Sequence, residues 1–453
     1  MGNSVRELAD RTPAGRDRYV DLLRVASLGT VVAGHWLMAA VSADGGVGNL
    51  LAVVPQLQIL TWALQVMPVF FFVGGFSHAL SYRSLSRKHP EGAPVYSVFV
   101  RARLQRLLRP TMVFVLVWGA AALAIQLLGG QGGLTGAALR LVAQPLWFIG
   151  IYLAMVAFTP PLLKLHERHG WAAFAVLALA AAGVDVLRFA FGVPYVEFLN
   201  FAFVWLAVHQ LGFLRADGRI RMPAALAATG LAGAAALVAF GPYPLSMVGM
   251  PGEKVSNMAP PTLALLAHGL WLVGAVELLR APGARLVARP RVWRTVVAAN
   301  GFAMTAFLWH LTAMLGVYGA MLALDVPLPA PASAAWWAQV PVRFAAAAAL
   351  TALCVAAFRT FERPARAGRP TAPGRFAGPA AAVGVTLCLL GVLGLSMVGF
   401  AGLLEGRTAM LIAVQVSAPA AVAMALAGWL LVETAGRPRT PRPTLRAGSR
   451  GGA

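Results

Sequence analysis

Asp21-Leu-Leu-Arg24-Val-Ala-Ser-Leu-Gly-Thr-Val-Val-Ala-Gly-His35 opens the first long apolar run of the chain, and the rest is read outward from it. On an α-helix the step from Arg24 to His35 is three turns plus about 20°, so both side chains lie on one face. The rise between them is about 16 Å, roughly half the hydrocarbon thickness of a bilayer. Asp21 precedes Arg24 by three residues, within reach of an ion pair. The helix therefore carries a charged pair at its mouth and an imidazole near mid-membrane. Ionisable groups at that depth are costly and usually functional.

The remaining sequence has the same character. Of 453 residues, 59% are hydrophobic and only 12% charged, about half the charged fraction of a soluble domain. Apolar residues come in blocks of about 20, the length that crosses a bilayer. They predict spans at 19–42, 54–80, 111–129, 143–160, 171–188, 198–214, 223–240, 262–279, 296–323, 336–358, 378–402 and 409–432. The expected fold class is all-α: a polytopic membrane helix bundle of about 12 transmembrane helices, with N- and C-termini cytoplasmic. Residues 1–18 form a cytoplasmic N-terminal tail, 19–365 a membrane core, 366–432 two additional helices, and 433–453 a basic, disordered tail rich in Pro, Arg and Gly.

A net charge of +21 suits a nucleic-acid partner until its placement is read. With the N-terminus inside, every Lys and Arg falls on an inner segment except Arg140, Arg188, Lys254, Arg343 and Arg407. This positive-inside pattern supports the orientation and an even number of spans, and it points to a multi-pass protein of the plasma membrane without nucleic acid. Cys354 and Cys388 lie inside apolar runs and offer neither a disulfide framework nor metal-ligand spacing, so no metal is expected. The polar N-terminal stretch and the long run after it do not read as a cleavable signal peptide. High Ala, Arg and Gly usage is of a bacterial kind.

Several shorter patterns lie along the spans. Phe70-Phe-Phe-Val-Gly74-Gly75-Phe76 removes side chains from one helix face and permits close helix approach, with His78 just beyond. A basic loop ends Arg101-Ala-Arg103-Leu-Gln-Arg106-Leu-Leu-Arg109-Pro110, with Pro110 marking entry to the third span. Arg106 and Arg109 share a helix face and suit a phosphate clamp or, equally, anionic lipid head groups. Trp147 and Tyr152 fit an interfacial belt, and Asp185 with Arg188 fits a structural intramembrane pair. Trp205 and His209 are helical neighbours, His310 follows Trp309 in another apolar helix, and Glu362 is an acid in a basic inner loop. Each is more often structural than chemical on its own. His35, His209 and His310 in three spans of one bundle are together a candidate site.

These residues carry a resemblance. From about Tyr19 to Pro364 the chain resembles the acyltransferase-3 family of integral membrane O-acyltransferases. The resemblance rests on Asp21-Leu-Leu-Arg24 with His35, Phe71-Phe72-Val73-Gly74-Gly75-Phe76, Arg106-Leu-Leu-Arg109-Pro110, Leu146-Trp147-Phe148, Trp205 with His209-Gln210-Leu211-Gly212, Asn300 through His310, and Phe361-Glu362-Arg363-Pro364. The family usually has Ser-Gly where this chain has Gly74-Gly75, and the last two spans lie beyond its usual ten-helix core. No fused extracytoplasmic hydrolase-like domain is present.

The resemblance implies transfer of an acyl group, acetyl first, from cytoplasmic acyl-CoA to a hydroxyl of a glycan, envelope component or secreted metabolite. Acyl-CoA is then a substrate, and no permanently bound cofactor is implied. Partners are the lipid bilayer, the donor and the hydroxyl-bearing acceptor. His35 is the expected general base, with Arg24 and Asp21 as its electrostatic frame. Arg106, Arg109 and Arg103 would bind the donor phosphates, and His310, Glu362, Trp147 and His209 are candidate pocket residues. Twelve spans with scattered charges also suit a transporter or flippase of a glycan or lipid precursor, although no inverted repeat is visible. A non-catalytic membrane partner or sensor is the third reading.

Overall fold

Asp17 starts the first long helix by accepting from the Tyr19 and Val20 N–H groups at 3.1 and 3.2 Å, which satisfies donors that a helix start leaves free. The structure is a computed structural model and describes residues 5–13, 15–42, 46–88, 95–129, 133–250, 253–362, 376–404, 406–411 and 414–435. In chain order the helices are α1 (Val5–Asp10), α2 (Arg18–Met38), α3 (Leu50–Val53), α4 (Thr61–Leu64), α5 (Met67–Lys88), α6 (Val95–Leu127), α7 (Gly133–Leu141), α8 (Pro145–His169) and α9 (Trp171–Phe189). They continue as α10 (Asn200–Ala216), α11 (Pro223–Phe240), α12 (Leu263–Leu278), α13 (Arg280–Ala288), α14 (Pro290–Asn300), α15 (Ala303–Ala323), α16 (Ala334–Phe358), α17 (Ala377–Val398) and α18 (Ala418–Ala435).

Each expected apolar run contains a helix, but several ends differ for identifiable reasons. The first span stops at Met38 because Ala39–Val41 forms β1, paired antiparallel with β2 (Val47–Asn49). The last begins at Ala418 because β3 (Thr408–Leu411) and β4 (Val414–Ser417) make a second hairpin before it. Short apolar strands and buried helix segments look alike to a hydropathy reading. Pro110 is not an entry residue: it lies inside the continuous α6, and much of the basic stretch expected as a loop is helical. The run 296–323 is broken at Gly301 and Phe302 between α14 and α15. In the N-terminal stretch, α1 packs Ala9 against Trp293 and Val296 of α14. Arg363, Pro364 and the tail from residue 436 lie outside the described residues.

Ten helices among the described residues are long and apolar enough to cross a membrane, or eleven if α12 and α13, bent by 53°, are one span. The helix α2 is not one of them, since Asp21, Arg24 and His35 lower its hydropathy. Val342, Leu353 and Phe240, on α16 and α11, are 71%, 65% and 91% exposed. Such faces are stable only against hydrocarbon.

The site is positioned by α2, α5, α6, α8, α10 and α15. Gly75 of α5 and Gly212 of α10 face each other so closely that a Cβ on either would run into the partner's backbone. A Cβ on Gly74 would make only an ordinary contact with Tyr152, at 3.9 Å. Close backbone approach through small residues is the usual basis of helix association in membranes, and here it brings His78 beside His209. Beyond this bundle, α17 and α18 form a hairpin packed on α8 and α6.

Candidate functional site

The opening helix is unbroken from Arg18 to Met38, so the Arg24–His35 spacing on one face holds along its length. Its two ends meet different partners. Arg16, just before the helix, grips Asp21 with two hydrogen bonds, Nε to Oδ2 at 2.6 Å and Nη2 to Oδ1 at 2.9 Å. That bidentate contact holds the Arg16 guanidinium above its usual pKa. Arg24 shares Asp21 more loosely, at 3.3 Å, and donates through Nη2 to Ser77 Oγ at 2.9 Å. Arg103 of α6 donates to the Ser77 carbonyl oxygen at 3.0 Å. Two guanidinium groups thus converge on one residue of α5. Neither Ser77 nor Arg16 stands out in the sequence, because both contacts are set by tertiary packing or by an extended segment.

At the far end of α2 the His35 and His310 rings are stacked, with centroids 5.0 Å apart and His35 Nδ1 2.8 Å from His310 Nε2. His310 Nδ1 meets the Phe307 carbonyl oxygen. A carbonyl only accepts, so His310 Nδ1 carries the proton and, in the neutral ring, Nε2 accepts. His35 Nδ1–H is then the donor to His310, and His35 Nε2 keeps its lone pair. That nitrogen has no hydrogen-bond partner among the described residues, and His35 itself is only half-buried. The neighbouring Trp36 pins the two helices by donating from Nε1 to the His310 carbonyl at 3.1 Å.

His209, expected in the same pocket, belongs to a second imidazole pair. Its Nε2 lies 3.0 Å from His78 Nδ1, and His78 Nε2 lies 2.9 Å from the Tyr152 hydroxyl. Both imidazoles are fully buried. An aromatic wall joins the pairs: Phe307 lies 5.6 Å from His310 and 4.8 Å from Phe148, which lies 6.5 Å from Tyr152. His78 reads in sequence as an interfacial residue and Tyr152 as a belt residue, so the second pair is not visible without the α5–α10 crossing.

The other expected site residues separate. Trp147 sits against Trp205, 6.4 Å between centroids, rather than beside His35. Glu362 caps α15, accepting from Met304 N at 3.2 Å, Thr305 N at 3.0 Å and the Thr305 hydroxyl at 2.7 Å. Of the three arginines expected together as a clamp, Arg103 points to Ser77, Arg106 is exposed, and Arg109 pairs with Glu433 of α18 at 3.1 Å. Arg109 is therefore already neutralised by a carboxylate from outside the expected core. The expected Asp185–Arg188 pair does not form. Asp185 instead accepts from Asn200, from the Tyr243 hydroxyl and from the Leu263 N–H at 2.9, 3.0 and 2.7 Å.

The arginine-rich end also holds a polar cluster, where Asp217, just past α10, meets side chains of α5, α8 and α10. Asp217 accepts from Arg83 Nη1 at 2.6 Å and from His166 Nε2 at 2.8 Å, while Gln210 donates to His166 Nδ1 at 2.9 Å. Burial pushes the Asp217 carboxyl up, but the Arg83 and His166 hydrogen bonds outweigh it and hold the group below its usual range.

What the main site can do follows from its dimensions. About 16 Å separates Arg24 from His35 along the helix, so Arg24 does not reach an atom that reacts at the ring. The site is a half-buried imidazole, His35, at one level and paired guanidinium groups at another. No curated protein and no solved structure matches the chain. A family model described as an acyltransferase domain matches residues 17–359, which include α2, both imidazole pairs and the arginines of α6. The chain belongs to the acyltransferase-3 family.

Proposed function

We propose that this membrane acyltransferase moves an acyl group, acetyl in the first instance, from acyl-CoA to a hydroxyl of a glycan or other envelope component. The observation that carries this reading is the chain of contacts from the Phe307 carbonyl through His310 to His35, from which a free lone pair on His35 Nε2 is inferred. An acceptor hydroxyl attacks the thioester carbonyl carbon while His35 Nε2 takes its proton. The new C–O bond forms and the C–S bond breaks. The sulfur leaves with its electron pair and regains a proton from the His35 imidazolium, giving the ester and free thiol. In the charged state the His35 Nδ1–H bond to His310 strengthens. General-base assistance of this kind is worth about 10²–10⁴ in rate.

Arg24 and Arg103 serve the donor rather than the reacting carbonyl, because they lie too far down the helix to stabilise an oxyanion at His35. The positive-inside pattern supports a cytoplasmic position for their end, on the side where acyl-CoA is made, and a place for the protein in the plasma membrane.

The test is mass spectrometry of envelope glycans and secreted metabolites from cells with the wild-type chain, with His35→Ala, and without the protein. An acyl mass increment present only with the wild type is expected. An unchanged increment in a folded, membrane-inserted His35→Ala protein overturns the general-base role, and translocation lost without any acylation favours a transporter.

A further inference from the structure

A cavity of about 260 Å³ opens at the arginine-rich end, between α1, α2 and the junction of α13 with α14. It is separate from Ser77 and from both imidazole pairs. Asp10, Arg18, Pro290, Trp293 and Arg294 line it. The Arg18 guanidinium lies over the Trp293 ring, 4.9 Å from its centroid. Trp293 is 4% exposed and is held by donation from Nε1 to Ala9 O at 3.3 Å and Thr12 Oγ1 at 3.2 Å. The docking of α1 therefore builds the floor. Arg18 and Arg294 are half-buried, and neither has a carboxylate partner among the described residues.

We infer that this cavity takes the nucleotide end of the acyl donor, a purine nucleotide bearing phosphates. The inference rests on the acyl-CoA reading above and assigns it a second anchor point. A guanidinium sitting over an indole leaves its other side for a purine ring, and guanidinium stacks on aromatic planes as well as pairing with phosphate. Arg294 supplies the phosphate contact. Asp10 accepts from the exocyclic amine or a ribose hydroxyl, a contact that a bare phosphate cannot make.

The location fits the chemistry. The cavity is walled by α2 and α14, and α14 is joined to α15 through Gly301 and Phe302. The two helices that continue from this entrance, α2 and α15, carry His35 and His310. Arg18 precedes His35 by 17 residues, about 26 Å of helix rise. A long, flexible phosphopantetheine arm reaches on that scale, running past Arg24 and Arg103. Arg18 lies about a third of a turn from the Arg24–His35 face, so the donor curves round the mouth of α2 before it descends. This also removes any need for Arg109, which Glu433 already neutralises.

The experiment uses the full chain in phosphatidylcholine nanodiscs and titration calorimetry with two probes, coenzyme A and adenosine 3′,5′-bisphosphate. Wild type is expected to bind both, with mutual competition. Arg18→Gln and Arg294→Gln should each weaken coenzyme A at least tenfold and abolish bisphosphate binding, while Arg294→Lys retains most of it. Arg168→Gln removes an exposed arginine elsewhere at the same end and should change neither. Coenzyme A binding that is normal in both cavity variants, or lowered equally by Arg168→Gln, overturns the cavity and leaves the donor reading intact. Wild type that binds no coenzyme A removes the donor reading and this inference together. Wild-type binding of both probes that disappears when phosphatidylglycerol replaces phosphatidylcholine marks a lipid head-group site and also overturns the proposal.

Discussion

His310 orders the protons at His35 through its own contact with the Phe307 carbonyl, and on the proposed mechanism its part lies there rather than in touching substrate. With the Phe307 carbonyl holding His310 Nδ1–H, the His310 Nε2 lone pair selects the His35 tautomer whose outer nitrogen is basic. Replacing His310 by Ala removes that selection and leaves the imidazolium unsupported. Acyl transfer by His310→Ala should fall by about 10- to 100-fold, while calorimetric affinity for coenzyme A stays within threefold, since the proposed donor site lies elsewhere. A drop confined to coenzyme A affinity would instead make His310 a donor contact. At Asp217 the physics is one of linkage. Its folded-state pKa is depressed, so its stabilising contribution is present above the ordinary carboxyl pKa of about 4 and is lost as pH falls through the folded value. Asp217→Asn should lower the melting temperature at pH 7, and its gap from wild type should close below about pH 4. A gap that stays constant down to pH 3 would mean the carboxylate charge does not matter.

At the scale of elements, the last helix changes the meaning of an arginine. Glu433 of α18 is 5% exposed and holds Arg109 at 3.1 Å and Arg101 at 3.9 Å. Removing one member of a largely buried pair leaves the other uncompensated. Arg109→Gln is therefore expected to cost about 1–3 kcal/mol in stability and to leave coenzyme A affinity unchanged, which denaturation in detergent and calorimetry would measure side by side. A stable variant with weakened coenzyme A binding would return Arg109 to the donor site. This contact was not legible in the sequence: a run of arginines spaced three apart gives a shared face, but not which of them meets an acid 324 positions away. Glu362 was legible as an unusual acid, but its contacts with Met304 and Thr305 were not. Only the break between α14 and α15, which frees the Met304 and Thr305 N–H groups, gives it a capping role. The helical spans were legible because twenty apolar residues in hydrocarbon have few alternatives to a helix. The two hairpins were not, since their strands are too short and too apolar to differ from helix ends.

At the scale of the whole molecule, the first helix was legible in its internal spacing and silent on its partners. Asp21, Arg24 and His35 follow from three numbers in the sequence, whereas Ser77, His310 and the second pair of imidazoles depend on which helices cross. The Gly75–Gly212 contact decides one of those crossings, and half of it was visible as Gly74-Gly75. What ties these levels together is direction: a polyanionic donor and the arginine-rich end must face the same compartment. That can be read without any substrate. In a chain carrying Cys354→Ser and Cys388→Ala, Arg168→Cys marks the arginine-rich end just before the close of α8, and Pro242→Cys marks the opposite end just after α11. A membrane-impermeant maleimide added to intact cells should label Pro242→Cys, and should label Arg168→Cys only after permeabilisation. The reverse pattern would place Arg18, Arg24, Arg103 and Arg294 on the side away from the acyl-CoA pool, and His35 would then need a donor of different chemistry delivered from outside.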